Sequence, residues 1–207
     1  MPSSPPLVLA SSSPWRRELL ARLQVPFQWS APDIDETPKA GETPSQLVKR
    51  LSRDKARALA ERYPNHLIIG SDQVATLDGD ILGKPGNHSR AVAQLSRCSG
   101  RAVRFHTGLA LHDSAADETD VIEETFLAHF RCLAPATIER YLRIEQPYQC
   151  AGSFRMEGLG IVLFGRLEGR DPNTLIGLPL IALTDLLQRR GLDILASTSP
   201  APSGSIT

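Results

Sequence analysis

Leu7-Val-Leu-Ala-Ser11-Ser-Ser-Pro-Trp-Arg-Arg-Glu-Leu-Leu20 runs an apolar strand straight into hydroxyls, a proline and two arginines at the mouth of a helix. Leu7 to Leu9 suit a buried strand, and Pro14 fits a first helical turn, where a backbone N–H would lack a partner anyway. The free amides of such a turn attract anions, and Ser11 and Ser13 add hydroxyl donors. Arg16 and Arg17 supply forked, permanently charged donors that match phosphate oxygens. A capped surface helix with solvated arginines reads the same way over this stretch, so the rest of the chain has to decide.

Beyond it, short apolar runs rich in branched residues alternate with amphipathic segments, which predicts an α/β protein. Strands are expected at about Leu7 to Ala10, Phe27 to Ser30, Leu67 to Ser71, Arg101 to His112, Asp120 to Arg131 and Gly158 to Phe164. Helices are expected from Trp15 to Leu23, from Thr43 to about Tyr63, from Ser89 to Arg97, from Ala134 or Pro135 to Glu145, and from Pro179 to Arg190. Thr43-Pro-Ser-Gln46 offers an N-cap, a proline at the first position and a capping-box glutamine, and Gly191 is a stop signal. Asp78-Gly79-Asp80 predicts a hairpin turn. Two long alternating strands around the polar loop Asp113 to Thr119 predict a second hairpin, forming one wall of a cleft. One domain over residues 1–195 is expected, and the small, polar stretch 196–207 reads as a frayed tail.

The chain has 207 residues, 41% hydrophobic and 22% charged, which is enough for one sizeable core. Lys plus Arg and Asp plus Glu both number 23, so no global positive field points to nucleic acid. A charged ligand has to be recognised locally. Cys98, Cys132 and Cys150 are odd in number and widely spaced, which fits reduced thiols in a cytoplasm better than a disulfide framework or a zinc ribbon. The start of the chain lacks a secretory pattern, and no apolar run approaches the roughly 18 to 20 residues of a membrane span.

Several further stretches carry candidate chemistry. Ile68-Ile-Gly70-Ser-Asp72-Gln73 ends a buried strand and exposes an aspartate where open sheets place ligands, so Asp72 is a candidate base or metal ligand. A turn-capping aspartate is the alternative. Gly83-Lys84-Pro85 follows closely and presents a point charge suited to a phosphate. Asp33-Ile-Asp35-Glu36-Thr-Pro38 clusters carboxylates that suit Mg²⁺, or else forms a solvated acidic loop. Lys55 lies on a charged helix, where helix-face pairing is its ordinary role. The glycine-rich Cys150 to Gly160, containing Glu157, and the Leu167 to Pro179 stretch let a backbone approach a ligand closely, although glycines in turns are common. His129-Phe-Arg-Cys132 is the one histidine pairing with metal-like spacing, and it is weak.

Taken together, Leu9-Ala-Ser11-x-Ser13-Pro, Arg16, Asp35-Glu36-Thr37, Lys55-Ala, Ile69-Gly-Ser-Asp72, Gly83-Lys84-Pro85, Thr107-Gly108 and Gly169-Arg-Asp-Pro-Asn-Thr-x-x-Gly-Leu-Pro179 resemble the Maf family of nucleoside triphosphate pyrophosphatases. The resemblance covers about Leu7 to Leu195. It implies a mixed, elongated sheet with flanking helices and two lobes around a cleft, similar to the inosine triphosphate pyrophosphatases. It also implies cleavage of a nucleoside triphosphate to a monophosphate and pyrophosphate with a divalent cation, Mg²⁺ or Mn²⁺. Asp72 stands at the family's catalytic acidic position and, with Glu36, at its metal site. Ser11, Ser13, Arg16, Lys55 and Lys84 stand at phosphate-handling positions. Trp15, Gln73 and Glu157 resemble the branch acting on 7-methyl-GTP, where the dTTP and UTP branch has arginine, threonine and glutamine.

Methylation at N7 makes guanine cationic, so a ring face at Trp15 and a carboxylate at Glu157 suit it better than an unmodified base; such stacking is worth about 1 to 3 kcal/mol. Alone, Trp15 reads as a core aromatic and Glu157 as a surface charge. The resemblance is compatible with a homodimer and with a house-cleaning role. Two rival functions are a dTTP/UTP pyrophosphatase of the same family and a nucleotide-binding regulator of cell division without useful catalysis.

Overall fold

A computed structural model describes residues 5–197. Its strands are β1 (Leu7–Ala10), β2 (Phe27–Ser30), β3 (Leu67–Leu77), β4 (Asp80–Leu82), β5 (Ala102–Asp113), β6 (Glu118–Phe130) and β7 (Phe164–Gly169). The helices are α1 (Pro14–Ala21), α2 (Pro44–Arg57), α3 (His88–Cys98), α4 (Pro135–Glu145), α5 (Leu180–Arg189) and a short α6 (Ile194–Ser197). The seven strands form one mixed sheet in the order β2-β1-β3-β5-β6-β7, with β4 also paired to β3. β1 runs parallel to β2 and β3, while β3, β5, β6 and β7 are successively antiparallel. A mixed α/β fold with flanking helices is therefore what the sequence predicts and what the chain adopts.

One topological detail opens the cleft. β5 lies along one edge of β3 throughout, and on the other edge β1 covers residues 67–70 and β4 covers residues 75–77. Residues 71–74 therefore have no strand neighbour on that edge. Alternation along β3 then sends successive side chains to opposite faces. Ile68, Gly70 and Asp72 turn to α2, whereas Ser71 and Gln73 turn to the Pro172–Ile176 3-10 helix and the residues after it.

Two apolar cores lie at the two ends of the long strands. At one end Leu7, Leu9, Ile69, Leu109 and Leu111 pack under α1 and α5, and Val8, Ala10, Ile68 and Ala110 pack under α2. At the other end Val103, Phe105, Phe126 and Phe130 pack with α3, α4 and Phe154. β3, β5 and β6 run unbroken from one core into the other.

Helix α2 is held by the predicted capping box: Thr43 Oγ1 accepts from Gln46 N at 3.3 Å, and Thr43 N donates to Gln46 Oε1 at 2.9 Å. Its buried residues Leu47, Val48, Leu51, Ser52, Lys55 and Ala56 follow helical periodicity on one face. The helix stops at Arg57 and not near Tyr63, because the chain tightens into three-residue turns (Leu59 N to Ala56 O, Ala60 N to Arg57 O) ahead of Pro64 and Asn65. The second correction is Gly158 to Phe164. Leu159–Leu163 is a 3-10 helix and the strand begins at Phe164. A side chain at Gly160 would meet the Arg155 carbonyl at 2.2 Å, so the segment coils over that carbonyl, with Ile161 and Val162 exposed. Both predicted hairpins form, with Asp78 (φ 53°) and Gly79 (φ 92°) in the left-handed geometry of a two-residue turn. Gly191 (φ 78°) follows α5 as expected. Of the expected tail, Ala196 and Ser197 belong to α6, and the remainder lies outside the described residues. The three cysteines are free. Among the described residues no helix is long and apolar enough to cross a membrane.

Arg50 of α2 clamps the acidic loop from behind, donating from Nε to Glu42 Oε1 (2.7 Å), from Nη2 to Glu42 Oε2 (2.8 Å) and to the Thr37 carbonyl (3.1 Å). The Arg50 hydrogen bonds, helped by the Lys39 N–H, hold the Glu42 carboxyl down at about 2 from an ordinary 4.5. A carboxyl lowered in the folded state contributes stability above its unfolded value and loses it as pH falls through its folded value. Wild type is therefore expected to melt above Glu42→Gln at neutral pH, with the gap closing as acid titration approaches about pH 2. Thermal denaturation of both proteins across that range checks this, and a pH-independent gap contradicts it.

Candidate functional site

Between the two cores, a cleft of about 470 Å³ is lined by Ser11, Ser12, Ser13, Arg16, Glu36, Lys55, Asp72, Gln73, Lys84 and Gln149, among others. These residues come from the β1–α1 turn, α1, the acidic loop, α2, β3, the segment after β4 and the segment after α4. All the residues expected to handle phosphate or metal therefore meet in one place.

Close packing of α2 on glycines builds its floor. A Cβ on Gly70 would stand 2.1 Å from the Ser52 carbonyl, and one on Gly108 would stand 2.1 Å from the Val48 carbonyl. Gly108 is the β5 partner of Asp72. With no side chains in the way, the helix lies directly on the strands and Lys55 reaches Asp72. The buried Lys55 Nζ donates to Asp72 Oδ1 at 2.6 Å and pairs with Glu36 Oε1 at 2.8 Å. Burial by itself would raise the Glu36 carboxyl, but the Lys55 hydrogen bond and the charges of Lys55, Lys84 and Arg16 outweigh it and hold the group below its ordinary value.

The opening loop is arranged so that hydrogens remain to be donated. Ser13 caps α1 by accepting from Arg16 N at 3.4 Å, and Ser11 Oγ accepts from Ser13 N at 3.1 Å. Each hydroxyl keeps its own O–H. Arg16 donates from Nε to the Gly177 carbonyl at 2.8 Å, which leaves its two terminal nitrogens for a ligand. Desolvation draws the Arg16 guanidinium's pKa below its ordinary value, opposed by the charges of Asp72 and Glu36.

The Leu167 to Pro179 stretch braces the site through its backbone carbonyls. Ser71 Oγ lies 2.7 Å from the same Gly177 carbonyl that fixes Arg16, and 2.9 Å from the Gly108 carbonyl. Gln73 Nε2 donates to the Thr174 carbonyl at 2.5 Å and to Thr107 Oγ1 at 3.0 Å, so its amide nitrogen ties β3 to this brace. Asp171 anchors the brace, accepting from Asn173 N at 2.8 Å and from Ile181 N at the start of α5 at 2.9 Å. Ser71, Asp171, Thr174 and Gly177 fall inside the Ile69 to Asp72 and Gly169 to Pro179 motifs, but their bracing role is not legible there, because the Ser71–Gly177 and Gln73–Thr174 contacts join positions about a hundred residues apart.

Trp15 and Glu157 do not line the main cleft. They share a neighbouring pocket of about 400 Å³ with Glu18, Arg22, Met156 and Asn173, and Ile176 borders both spaces. Partial desolvation raises the Glu157 carboxyl above its ordinary value, with the Glu18 charge adding and Arg155 opposing. The Arg155 guanidinium lies 5.8 Å from the centroid of the Trp15 ring.

Among the described residues no group of three or more His, Cys, Asp or Glu converges, so no all-protein metal cage exists, and the His129 and Cys132 spacing makes none. Glu36 and Asp72, both bonded to one Lys55 nitrogen, form a two-carboxylate set. That set fits a hard cation completing its shell with water and substrate phosphate oxygens, as Mg²⁺ commonly does.

The solved structure of the Ham1 protein of Staphylococcus aureus matches with a TM-score of 0.50 and 13% sequence identity, over 88% of this chain and 98% of that one, which is a likeness of fold. The family model described as "Maf-like protein" matches residues 6–190. The chain accordingly belongs to the Maf-like protein family.

Proposed function

We propose that the cleft hydrolyses a nucleoside triphosphate to its monophosphate and pyrophosphate, and that 7-methyl-GTP is the preferred substrate. The observation that carries this is the meeting of Arg16, Lys55 and Lys84 with Glu36 and Asp72 in one cleft, next to a pocket walled by Trp15 and Glu157.

Three cations offset much of a triphosphate's charge, the dominant requirement in phosphoryl chemistry. Lys55 has three N–H donors, two of them engaged by Glu36 and Asp72, and the third is left for a phosphate oxygen. The terminal nitrogens of Arg16 and the hydroxyls of Ser11 and Ser13 add directed donors, and the exposed Lys84 adds a further positive charge. A divalent cation bound by Glu36 and Asp72 would polarise the phosphate oxygens. Lys55 bonds Asp72 through Oδ1, which leaves Oδ2 to orient a water and take its proton. The water oxygen attacks the α-phosphorus, the bond to the bridging oxygen of the β-phosphoryl breaks, and pyrophosphate leaves with that oxygen. In the adjoining pocket, Trp15 stacks on the cationic purine and Glu157 accepts from its N1–H and exocyclic amine. Gln73 supports this wall from the Thr174 brace.

The test is a panel of 7-methyl-GTP, GTP, dTTP and UTP with and without Mg²⁺ or Mn²⁺, scored for pyrophosphate. A strong preference for 7-methyl-GTP is expected. The double variant Trp15→Arg, Glu157→Gln should lose about 10-fold or more of that preference, the loss of one base-stacking contact. Preference for dTTP or UTP in the wild type would overturn the substrate assignment, and saturable nucleotide binding without pyrophosphate release would overturn the activity.

A further inference from the structure

Resting on the base pocket just proposed, we infer that Arg155 is a specificity-determining gate with two seats: over the Trp15 ring when the pocket is empty, and on Glu145 when a base is stacked there. Three observations meet at this residue. Its guanidinium lies over the Trp15 ring, 5.8 Å from the centroid. Its Nε is buried without a hydrogen-bond partner, and so is Glu145 Oε2. These two groups are neighbours, with Nη1 and Oε2 3.7 Å apart, which is too long for a hydrogen bond and short enough that a side-chain turn would make one. A buried polar atom left unpaired is costly, and here a donor and an acceptor are both unpaired at the same place.

The backbone at Arg155 and the Glu145 carboxylate are each anchored, so the movement is one of the arginine side chain, which also meets the Cys150 thiol. Arg155 N donates to the Tyr141 hydroxyl at 2.9 Å, which pins the backbone. Glu145 is at the end of α4, and its Oε1 accepts from Leu159 N at 3.0 Å. Gly158 leaves room for it, since a Cβ there would stand 2.4 Å from Oε2. The carboxylate is thus held still with one oxygen open towards the arginine.

A cationic base arriving on Trp15 meets a like charge on the ring face and drives Arg155 towards Glu145, where the unpaired Oε2 gains a hydrogen bond from Nη1. A neutral base can share the ring with a guanidinium and gains less from the move. Occupancy of the Trp15 seat taxes binding in proportion to its population. Arg155→Met, which keeps the stem and removes the charge, should therefore lower KM for 7-methyl-GTP by about two- to five-fold with kcat little changed, the range set by an exposed cation–π contact. Glu145→Gln should do the opposite and raise KM. In the Arg155→Met background, Glu145→Gln should have no further effect on KM. A purely structural role predicts that both single variants weaken binding, and that result overturns the gate.

A second measurement needs no substrate. In a Trp29→Phe background, which leaves Trp15 as the reporting indole, Arg155→Ala should raise the acrylamide quenching constant of Trp15 fluorescence. An unchanged constant overturns the Trp15 seat. If the wild type hydrolyses none of the panel, the functional reading fails, and the quenching result still decides the gate.

Discussion

Asp72→Asn is expected to lower the rate of pyrophosphate release by about 10²- to 10⁴-fold, the range for losing a positioned proton acceptor. Its effect on stability is expected to be much smaller. Breaking a buried ion pair by removing one partner ordinarily costs about 3 to 5 kcal/mol, because an uncompensated charge is left behind. Here Lys55 retains Glu36 at 2.8 Å, and that carboxylate is more than half exposed, so the orphaned ammonium keeps both a counter-charge and access to water. Turnover and melting temperature should separate in this variant. Near-normal turnover would remove Asp72 from the chemistry, and wholesale unfolding would make it a structural residue.

Gly70→Ala is expected to be strongly damaging for so conservative a change. The added methyl would stand 2.1 Å from the Ser52 carbonyl, 2.9 Å from Ala56 N and 3.0 Å from the Ala56 side chain, so α2 would have to lift. Overpacking of this kind costs about 1 to 3 kcal/mol, and rigid backbone on the other side puts this site at the upper end. The displacement is leveraged onto function, because Lys55 lies on α2 between the two points of contact. Loss of activity should exceed what the lost stability explains. Gly165→Ala is the control: it also sits in a strand, its nearest neighbour would be 3.8 Å away, and it should melt and turn over like the wild type. Circular dichroism melts and pyrophosphate assays on the pair decide the matter, and equal behaviour of the two variants would contradict the packing account.

Local signals were read well from the sequence. The Thr43 and Gln46 capping box, the Asp78-Gly79 turn and the hydroxyl-rich entry to α1 are each settled within a few residues, and each forms as expected. The expected site residues Ser11, Ser13, Arg16, Glu36, Lys55, Asp72, Gln73 and Lys84 do share one cleft. Trp15 and Glu157 meet in the adjoining pocket, a separation that no one-dimensional pattern reveals. The errors have physical causes. Leu159-Gly-Ile-Val-Leu163 has strand-like composition, but the contact of Gly160 with the Arg155 backbone coils it. Gly70 looks like the end of a strand, and in fact β3 continues to Leu77 while the glycine admits a helix. Ser71, Thr174 and Gly177 stand in motifs that the sequence does show, but they brace Arg16 and Gln73 through hydrogen bonds between distant segments, and no local pattern reveals which segments pair.

The unbroken passage of β3, β5 and β6 from one apolar core to the other leaves the molecule without a pivot. Bending the halves together would require three adjacent, hydrogen-bonded strands to bend in concert, with no loop within them to take up the change. The trough between the halves is therefore a rigid mould, and accommodation of differently shaped or charged occupants falls to the side chains along its rim.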